Sequence, residues 1–184
     1  MNLEQVFENN VAYKITNCIK EQKEGFFYFI PNKTAIFRGY NNLLDENLCK
    51  ELNLDIIELN NEGGIIVSGK DSIAIGLLSK NIDNKYNEMI TNILVDYLKQ
   101  NNINVDLMGN DILIDNKYKV ASSSTRRFGD ILFSAFHISF NVDLDLINKL
   151  CKKPMVKVPK GLDDYNINKS ELSNIIINNI RGFI

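Results

Sequence analysis

The chain has 184 residues, of which 45% are hydrophobic and 24% are charged, and its net charge is −2. This length suits one domain with a sizeable core, and the charge excludes a bulk attraction to nucleic acid or to anionic membranes. Three cysteines without metal-like spacing and a single histidine exclude a Cys/His zinc site. We find no apolar run typical of a signal peptide or a membrane span, so we predict a cytoplasmic protein.

The first half of the chain is predicted to begin with a helix and to continue mainly as strands. Apolar residues at helical spacing predict the helix from Leu3 to about Glu21. Glycine and Pro-Asn turn signals then separate short apolar runs, which are typical of strands. The predicted strands are Phe26–Ile30, Thr34–Phe37, Asp55–Leu59, Gly64–Val67 and Ser72–Leu78, with a short helix at Asp45–Leu52.

The second half contains the clearest amphipathic helix of the chain, Tyr86–Leu98. A loop is predicted at Lys152–Asp164, and a last helix opens at Asn168, with Glu171 at the capping distance. The other predicted elements are strands at Val105–Leu107, Ile112–Ile114, Lys119–Ser123 and Ile131–Val142, and a helix at Asp143–Leu150. This order predicts one α+β domain over residues 1–184, strand-rich in the middle and helical at both ends.

Several short segments occur in an order that resembles the lipoate–protein ligase and octanoyltransferase family. A turn precedes the first short helix, a Gly-Gly segment follows the next strand, and a Lys-Val-Ala-Ser strand follows an Asn-Asp pair. Together these segments extend from residue 38 to residue 161 of the 184 residues. They are Arg38-Gly39-Tyr40-Asn41-Asn42, Glu62-Gly63-Gly64-Ile65, Met108-Gly109-Asn110-Asp111, Lys119-Val120-Ala121-Ser122-Ser123, Phe140-Asn141-Val142-Asp143 and Lys160-Gly161.

The resemblance implies the fold of biotin and lipoate ligases, a single domain with a mixed β-sheet flanked by helices. It also implies an activity: lipoate or octanoate is activated with ATP and Mg²⁺ as an acyl-adenylate, then passed to a lysine of a lipoyl carrier domain or a glycine cleavage H-like protein. The C-terminal accessory domain of larger ligases is expected to be absent, which leaves room for a separate accessory subunit. Attachment of biotin stays open as an alternative.

The resemblance also assigns roles to individual residues. Lys119 would be the principal catalytic residue, because a fixed ammonium stabilises the negative charge that develops at the carbonyl and phosphate. Gly63 and Gly64 would let a ligand lie against the backbone, although a hairpin turn would equally favour glycine. Asn110 and Asp111 would hold ribose, a phosphate-bound metal (for Asp111) or the lysine, unless they only form a turn.

Other polar residues have less specific interpretations. Ser122 and Ser123 occupy a small-residue segment beside the expected ligand and are interpreted mainly as compact packing. Arg126 and Arg127 could contact phosphate or an acidic partner, or belong to a solvated loop. The only histidine, His137, lies in an apolar run and is predicted to be a strand histidine with satisfied hydrogen bonds.

The sequence departs from the family pattern around the glycines. The family arginine falls among Glu58, Leu59 and Asn60, and the family His-Asp pair falls at Ser68-Gly69. Glu58 would bring negative charge toward an anionic ligand. The alternative hypothesis is therefore a catalytically inactive homologue that acts as a ligand-binding or accessory subunit. An open groove between the glycines and the Lys119 ammonium would favour the enzyme, and a filled groove would exclude it.

Overall fold

The computed structural model describes residues 3–6, 8–29, 33–39, 43–58, 64–69, 71–80, 85–153, 155 and 157–182. Within these ranges the strands are Leu3–Val6 (β1), Gly25–Phe29 (β2), Ala35–Arg38 (β3), Asp55–Glu58 (β4), Ile65–Ser68 (β5), Ser72–Ser79 (β6), Val105–Met108 (β7), Asp111–Ile114 (β8), Tyr118–Phe128 (β9), Ile131–Ser139 (β10) and Val158–Pro159 (β11). The helices are Glu8–Lys20 (α1), Glu46–Glu51 (α2), Lys85–Gln100 (α3), Leu144–Leu150 (α4) and Lys169–Arg181 (α5), with a 3-10 turn at Leu162–Tyr165.

The strands form two sheets. The large sheet has the order β1-β2-β6-β10-β9-β8-β7, with β11 beside β9, and the small sheet has the order β4-β3-β5. Both sheets are mixed, because β1–β2, β9–β11 and β3–β4 are parallel pairs and the other pairs are antiparallel. The prediction of a single α+β domain with a mixed sheet flanked by helices is confirmed.

Alternating side chains of the large sheet belong to two different cores. Phe26 and Tyr28 of β2 pack with α3 and α5 on one face, whereas Phe27 and Phe29 pack with α1 and the small sheet on the other. This division follows from the two-residue period of a strand. The far face of the small sheet is buried separately against α2 and α4. The space between the two sheets is therefore bordered by apolar side chains on several sides.

Two sequence predictions about local structure were wrong. Leu3–Val6 is a strand that pairs parallel to β2, not the first turn of a helix. Thr125, Arg126 and Arg127 belong to β9, not to a loop, because β9 continues to Phe128 and turns into β10. In both cases the local sequence pattern does not determine the conformation. Hydrogen bonds to a neighbouring strand satisfy the backbone groups and stabilise the strand.

The predicted loop Lys152–Asp164 also contains regular structure. Val158 and Pro159 form β11, which pairs with Tyr118 and Lys119 at the end of β9 that β10 does not reach. Gly161 follows at a close approach, since a Cβ atom there would lie 1.9 Å from the Phe140 carbonyl oxygen. The glycine of the Lys160-Gly161 pair is therefore required by backbone packing. The Pro31-Asn32 turn prediction lies outside the described residues.

Among the helices of the described ranges, none combines the length and apolar character that crossing a lipid bilayer requires.

Candidate active site

A β-bulge in β9 determines where the Lys119 side chain lies. Val120 is an extra residue in β9, since consecutive residues of β8 pair with Ala121 and then with Lys119. In an unbroken strand Lys119 would share the face of Ala121, which belongs to the core beneath α3 and α5. The bulge places Lys119 on the opposite face, toward the small sheet. The pairs at this point are Asp111–Ser122, Ile112–Ala121 and Leu113–Lys119.

The backbone of Lys119 is held on both sides, and its ammonium is paired. Leu113 of β8 lies on one side, and on the other the Lys160 N–H donates to the Lys119 carbonyl oxygen over 2.9 Å. The Lys119 Nζ lies 3.0 Å from Asp111 Oδ1, and its side chain is 32% exposed. The ammonium is therefore fixed beside a carboxylate and does not extend freely into solvent.

Asp111 binds a second lysine that the sequence analysis did not identify. Lys157 Nζ lies 2.6 Å from Asp111 Oδ2 and also donates to the Met108 carbonyl oxygen over 3.3 Å. Burial disfavours the ionised carboxyl, but the hydrogen bond from Lys157 and the charge of Lys119 outweigh it, so the pKa of Asp111 is lowered. Two ammonium groups on one carboxylate leave a net charge of about +1, which favours an anionic ligand at this point.

A first cavity of about 270 Å³ lies between the two sheets and reaches Lys119. Its inner wall is apolar, formed by side chains of α1, β2, β3 and β10, and its polar wall contains Asp111 and Lys119. The apolar lining residues include Val11, Ile15, Phe27, Phe29, Phe37, Ile66 and Phe133. Such a cavity suits a ligand with an apolar chain and one polar end.

A second cavity of about 300 Å³ meets the first at the same polar residues. Both are lined by Asp111, Lys119, Ser122 and His137, whereas Lys157 lines only the second. The lysine side chain therefore lies at the junction of an apolar chamber and a chamber with an additional cation. The outcome that would have excluded the enzyme hypothesis, a filled groove, is not observed among the described residues.

Gly64 lines the first cavity, whereas Gly63 lies outside the described residues. The φ angle of Gly64 is not in the left-handed region, and a Cβ atom added there meets no described atom within 4 Å. Its carbonyl oxygen accepts from the Gly39 N–H over 3.0 Å. Among the described residues, neither packing nor backbone conformation requires glycine at position 64.

Asn110 and the two serines also line the first cavity. Asn110 follows Gly109 in the turn between β7 and β8, where Gly109 has a φ of +62°. The turn interpretation thus describes its local structure, and its carbonyl oxygen accepts from the Ser123 N–H over 2.8 Å. Ser122 is buried opposite Asp111 and His137, while Ser123 is half-buried. Their roles toward a ligand remain predictions.

Arg38 changes the electrostatic argument that the sequence suggested for Glu58. Arg38 lies opposite Glu58 in the parallel β3–β4 pair and forms an ion pair with it, and it also bonds Glu46 over 2.6 Å. Because Glu58 is paired with a guanidinium and is exposed, its charge does not act unopposed on a ligand. Arg38 itself lines the first cavity. Arg126, by contrast, stacks on Phe128 with its guanidinium carbon 5.0 Å from the ring centre.

His137 is buried on β10, as predicted, but the prediction that its hydrogen bonds are satisfied was wrong. Its Nε2 atom is buried and has no hydrogen-bond partner among the described residues. Burial, with a contribution from the charge of Lys119, lowers the pKa of His137 to about 3. The imidazole is therefore neutral at neutral pH, in the wall that both cavities share.

The residues around Asp111 do not fit a metal ion held by the protein. Each carboxylate oxygen of Asp111 is already bonded to a lysine ammonium. The described ranges contain no group of three or more His, Cys, Asp or Glu side chains that could hold a metal ion. Asp111 in this arrangement holds the two lysines in place.

Comparisons with known proteins agree with this fold. P. falciparum LipL1 in complex with lipoate superposes with a TM-score of 0.77 at 18% identity, covering 98% of this chain and 61% of that one. Lipoate-protein ligase A bound with ATP gives a TM-score of 0.74 at 14% identity, covering 96% and 81%. A bipartite lipoate protein ligase from Thermoplasma acidophilum, studied with its E2 lipoyl domain, gives 0.74 at 14% identity, covering 96% and 80%.

The present chain thus spans about three-fifths of the P. falciparum protein's length. No curated protein sequence matches it. The family model described as the lipoyl protein ligase A/B catalytic domain matches residues 8–176. The family model and the fold therefore define a lipoate ligase-like catalytic domain. The chain belongs to the lipoyl protein ligase A/B catalytic domain family.

Proposed function

We propose that this chain activates lipoate or octanoate with ATP and passes the acyl group to a lysine of a lipoyl carrier protein. The observation that carries the proposal is the position of the Lys119 ammonium at the junction of the two cavities. The apolar chamber suits the acyl chain, and the chamber beside Lys157 suits the nucleotide phosphate. The lipoate-bound and ATP-bound structures of relatives support the choice of these two ligands.

The proposed reaction has two steps. The acyl carboxylate attacks the α-phosphorus of ATP, so that an acyl-adenylate forms and pyrophosphate leaves. The amine of the carrier lysine then attacks the acyl carbonyl, an amide forms, and AMP leaves with the electron pair while the amine loses a proton. Lys119 and Lys157 stabilise the negative charge on carboxylate and phosphate oxygens, and one such donor typically contributes about 100-fold or more in rate.

The bipartite organisation of the T. acidophilum relative supports two partners for this chain, a lipoyl carrier domain and a separate accessory subunit. Magnesium would enter with the triphosphate, because the described residues do not form a protein-held metal site.

Calorimetric titration with ATP, lipoate and a non-hydrolysable lipoyl-adenylate mimic tests the proposal. We expect the native chain to bind the mimic and the Lys119→Ala variant to lose that binding. Lys117→Ala is the matched control, because Lys117 is an exposed lysine two residues away that stacks on Tyr118 at 4.8 Å. Absence of binding to all three ligands would refute the acyl-adenylate proposal. Binding without acyl transfer to a carrier would instead support the inactive, ligand-binding homologue.

A further inference from the structure

Gly76 is an interior residue of β6, a central strand of the large sheet, where glycine is unfavourable. A strand glycine has no side chain to pack and loses more conformational freedom on folding than any other residue. Gly76 pairs with Phe27 of β2 and with Ala135 of β10, and neither of these ladders contains a register shift. A β-bulge, which often explains a glycine within a strand, is therefore not the reason here.

Packing and backbone conformation do not require glycine at position 76 either. Its φ angle is not in the left-handed region. A Cβ atom added there would lie 3.4 Å from Phe133 Cε2, 3.9 Å from Phe27 Cδ2 and 4.0 Å from Ile15 Cδ1, which are ordinary van der Waals distances. These nearest described atoms all belong to side chains, so no backbone makes a close approach. A strand glycine of this kind often marks the place where a ligand approaches the sheet.

The shape of the first cavity shows which part of a ligand would reach Gly76. Residues on the cavity face of the sheet lie in rows that cross the strands. The row beside Asp111 contains Ser122, His137 and Ala74, the next row contains Ser124, Ala135 and Gly76, and the third contains Phe133 and Leu78. Phe133 lines the cavity, whereas Leu78 is fully buried and is not among the described lining residues. Gly76 therefore lies near the closed end of the cavity, away from Lys119.

The distance between this end and the lysine suits an eight-carbon chain. Ser122 lies opposite Asp111, whose carboxylate holds the Lys119 ammonium at 3.0 Å. Gly76 is one row further and two strands away from Ser122, which corresponds to about 12 Å at the usual spacings of a sheet. An extended chain advances about 1.2 Å per bond, so an octanoyl chain spans about 8 Å, and a hydrogen bond to the ammonium adds about 3 Å. A chain whose carboxyl group bonds the ammonium therefore ends beside Gly76.

We propose that Gly76 determines acyl specificity by leaving room for a wide chain end, so that the protein binds the ring-ended chain of lipoate more tightly than the linear chain of octanoate. This inference rests on the proposed function and decides between the two acyl substrates named there. A linear chain is narrow and fits beside a methyl group at position 76, whereas a dithiolane ring fills the space that a Cβ atom would take. The rings of Phe27 and Phe133 border this space, and contacts between sulfur and aromatic rings are favourable.

Calorimetric titration of the native chain and of Gly76→Ala with lipoate and with octanoate tests the inference. We expect the native chain to bind lipoate more tightly than octanoate. The substitution should weaken lipoate binding about tenfold or more, because the methyl group overfills the end of the cavity, and should change octanoate binding little. Equal weakening of both ligands, or unchanged lipoate binding, would overturn the role of Gly76 while the proposed function stands. If neither ligand binds the native chain, both fail.

Two further variants separate the size of the cavity from the stability of the fold. Ile15→Val removes Cδ1, one of the atoms nearest the added methyl group, so the double variant Gly76→Ala/Ile15→Val should regain lipoate affinity. A double variant that binds lipoate no better than Gly76→Ala would contradict the proposal. Gly69→Ala is the matched control outside the described cavity walls, where the Cβ atom meets only Thr34 Oγ1 at 3.7 Å, and it should leave both affinities unchanged. Urea denaturation checks folding, and an unfolded Gly76→Ala chain would show that packing alone requires this glycine and would also overturn the proposal.

Discussion

Acidification should destabilise this protein through one buried imidazole. The pKa of His137 is lowered to about 3 by burial, with a contribution from the charge of Lys119, whereas a histidine in an unfolded chain titrates near 6.5. Between those two values the unfolded chain binds a proton that the folded chain does not, so stability is complete above about pH 6.5 and falls as the pH decreases. At about pH 4.5, roughly two units lower, the expected loss is about 3 kcal/mol in the free energy of unfolding.

Urea denaturation followed by circular dichroism measures this effect, and it suits a chain without tryptophan. The comparison is the pH dependence of the native chain against that of His137→Met, which should be nearly flat between about pH 7 and pH 4.5. Asp111 does not affect stability in this pH range. Because its pKa is lowered in the folded protein, its contribution to the free energy of unfolding is lost only at lower pH. Parallel loss of stability in both proteins, or an imidazole that titrates near 6.5 in the native chain, would refute the reasoning.

Three further predictions concern the glycines and the second lysine. Gly161→Ala should lower the free energy of unfolding by about 3 kcal/mol or more, because its Cβ atom would overlap the Phe140 carbonyl oxygen. Urea denaturation measures this loss, and a value below about 1 kcal/mol would contradict the close approach. Gly64→Ala should change stability by less than about 0.5 kcal/mol, since its Cβ atom meets no described atom within 4 Å. Because Gly64 lines the first cavity, the same change should weaken octanoate binding in calorimetry, and unchanged affinity would show that the ligand does not contact position 64. Lys157→Met should weaken binding of the lipoyl-adenylate mimic about tenfold, because a charge-assisted donor is lost, whereas the exposed Lys153→Met should not; equal affinities would remove Lys157 from the site.

Local signals in the sequence predicted most helices and strands, because those signals act over a few residues. The period of apolar residues predicted a helix at Tyr86–Leu98, and the observed helix α3 is slightly longer, Lys85–Gln100. Asn168 caps α5 as predicted, with its side chain accepting from the Glu171 N–H. The first strand was mistaken for a helix, since Leu3 and Val6 stand at helical spacing. Its strand conformation depends on pairing with β2.

The candidate site shows the same division between local and tertiary information. By themselves, the residues identified the family resemblance, the Asn110-Asp111 turn and the functional interest of Lys119. Only the tertiary structure showed that Lys157, far along the chain, bonds Asp111 and that Arg38 pairs with Glu58. Ion pairs between distant segments leave no periodic signal, so no reading of one segment could have found them.

The sequence alone determined the fold class, an α+β domain, and the order of segments that resembles a lipoate ligase. It also placed the candidate lysine, Lys119, in a strand. Which face of the sheet that lysine occupies was decided by the tertiary structure. Alternation would have placed Lys119 with Ala121 in the core, and the bulge at Val120 places it in the cavity instead. The physical reason is that strand register is set by hydrogen bonds to neighbouring strands, and a shift of one residue reverses the direction of a side chain.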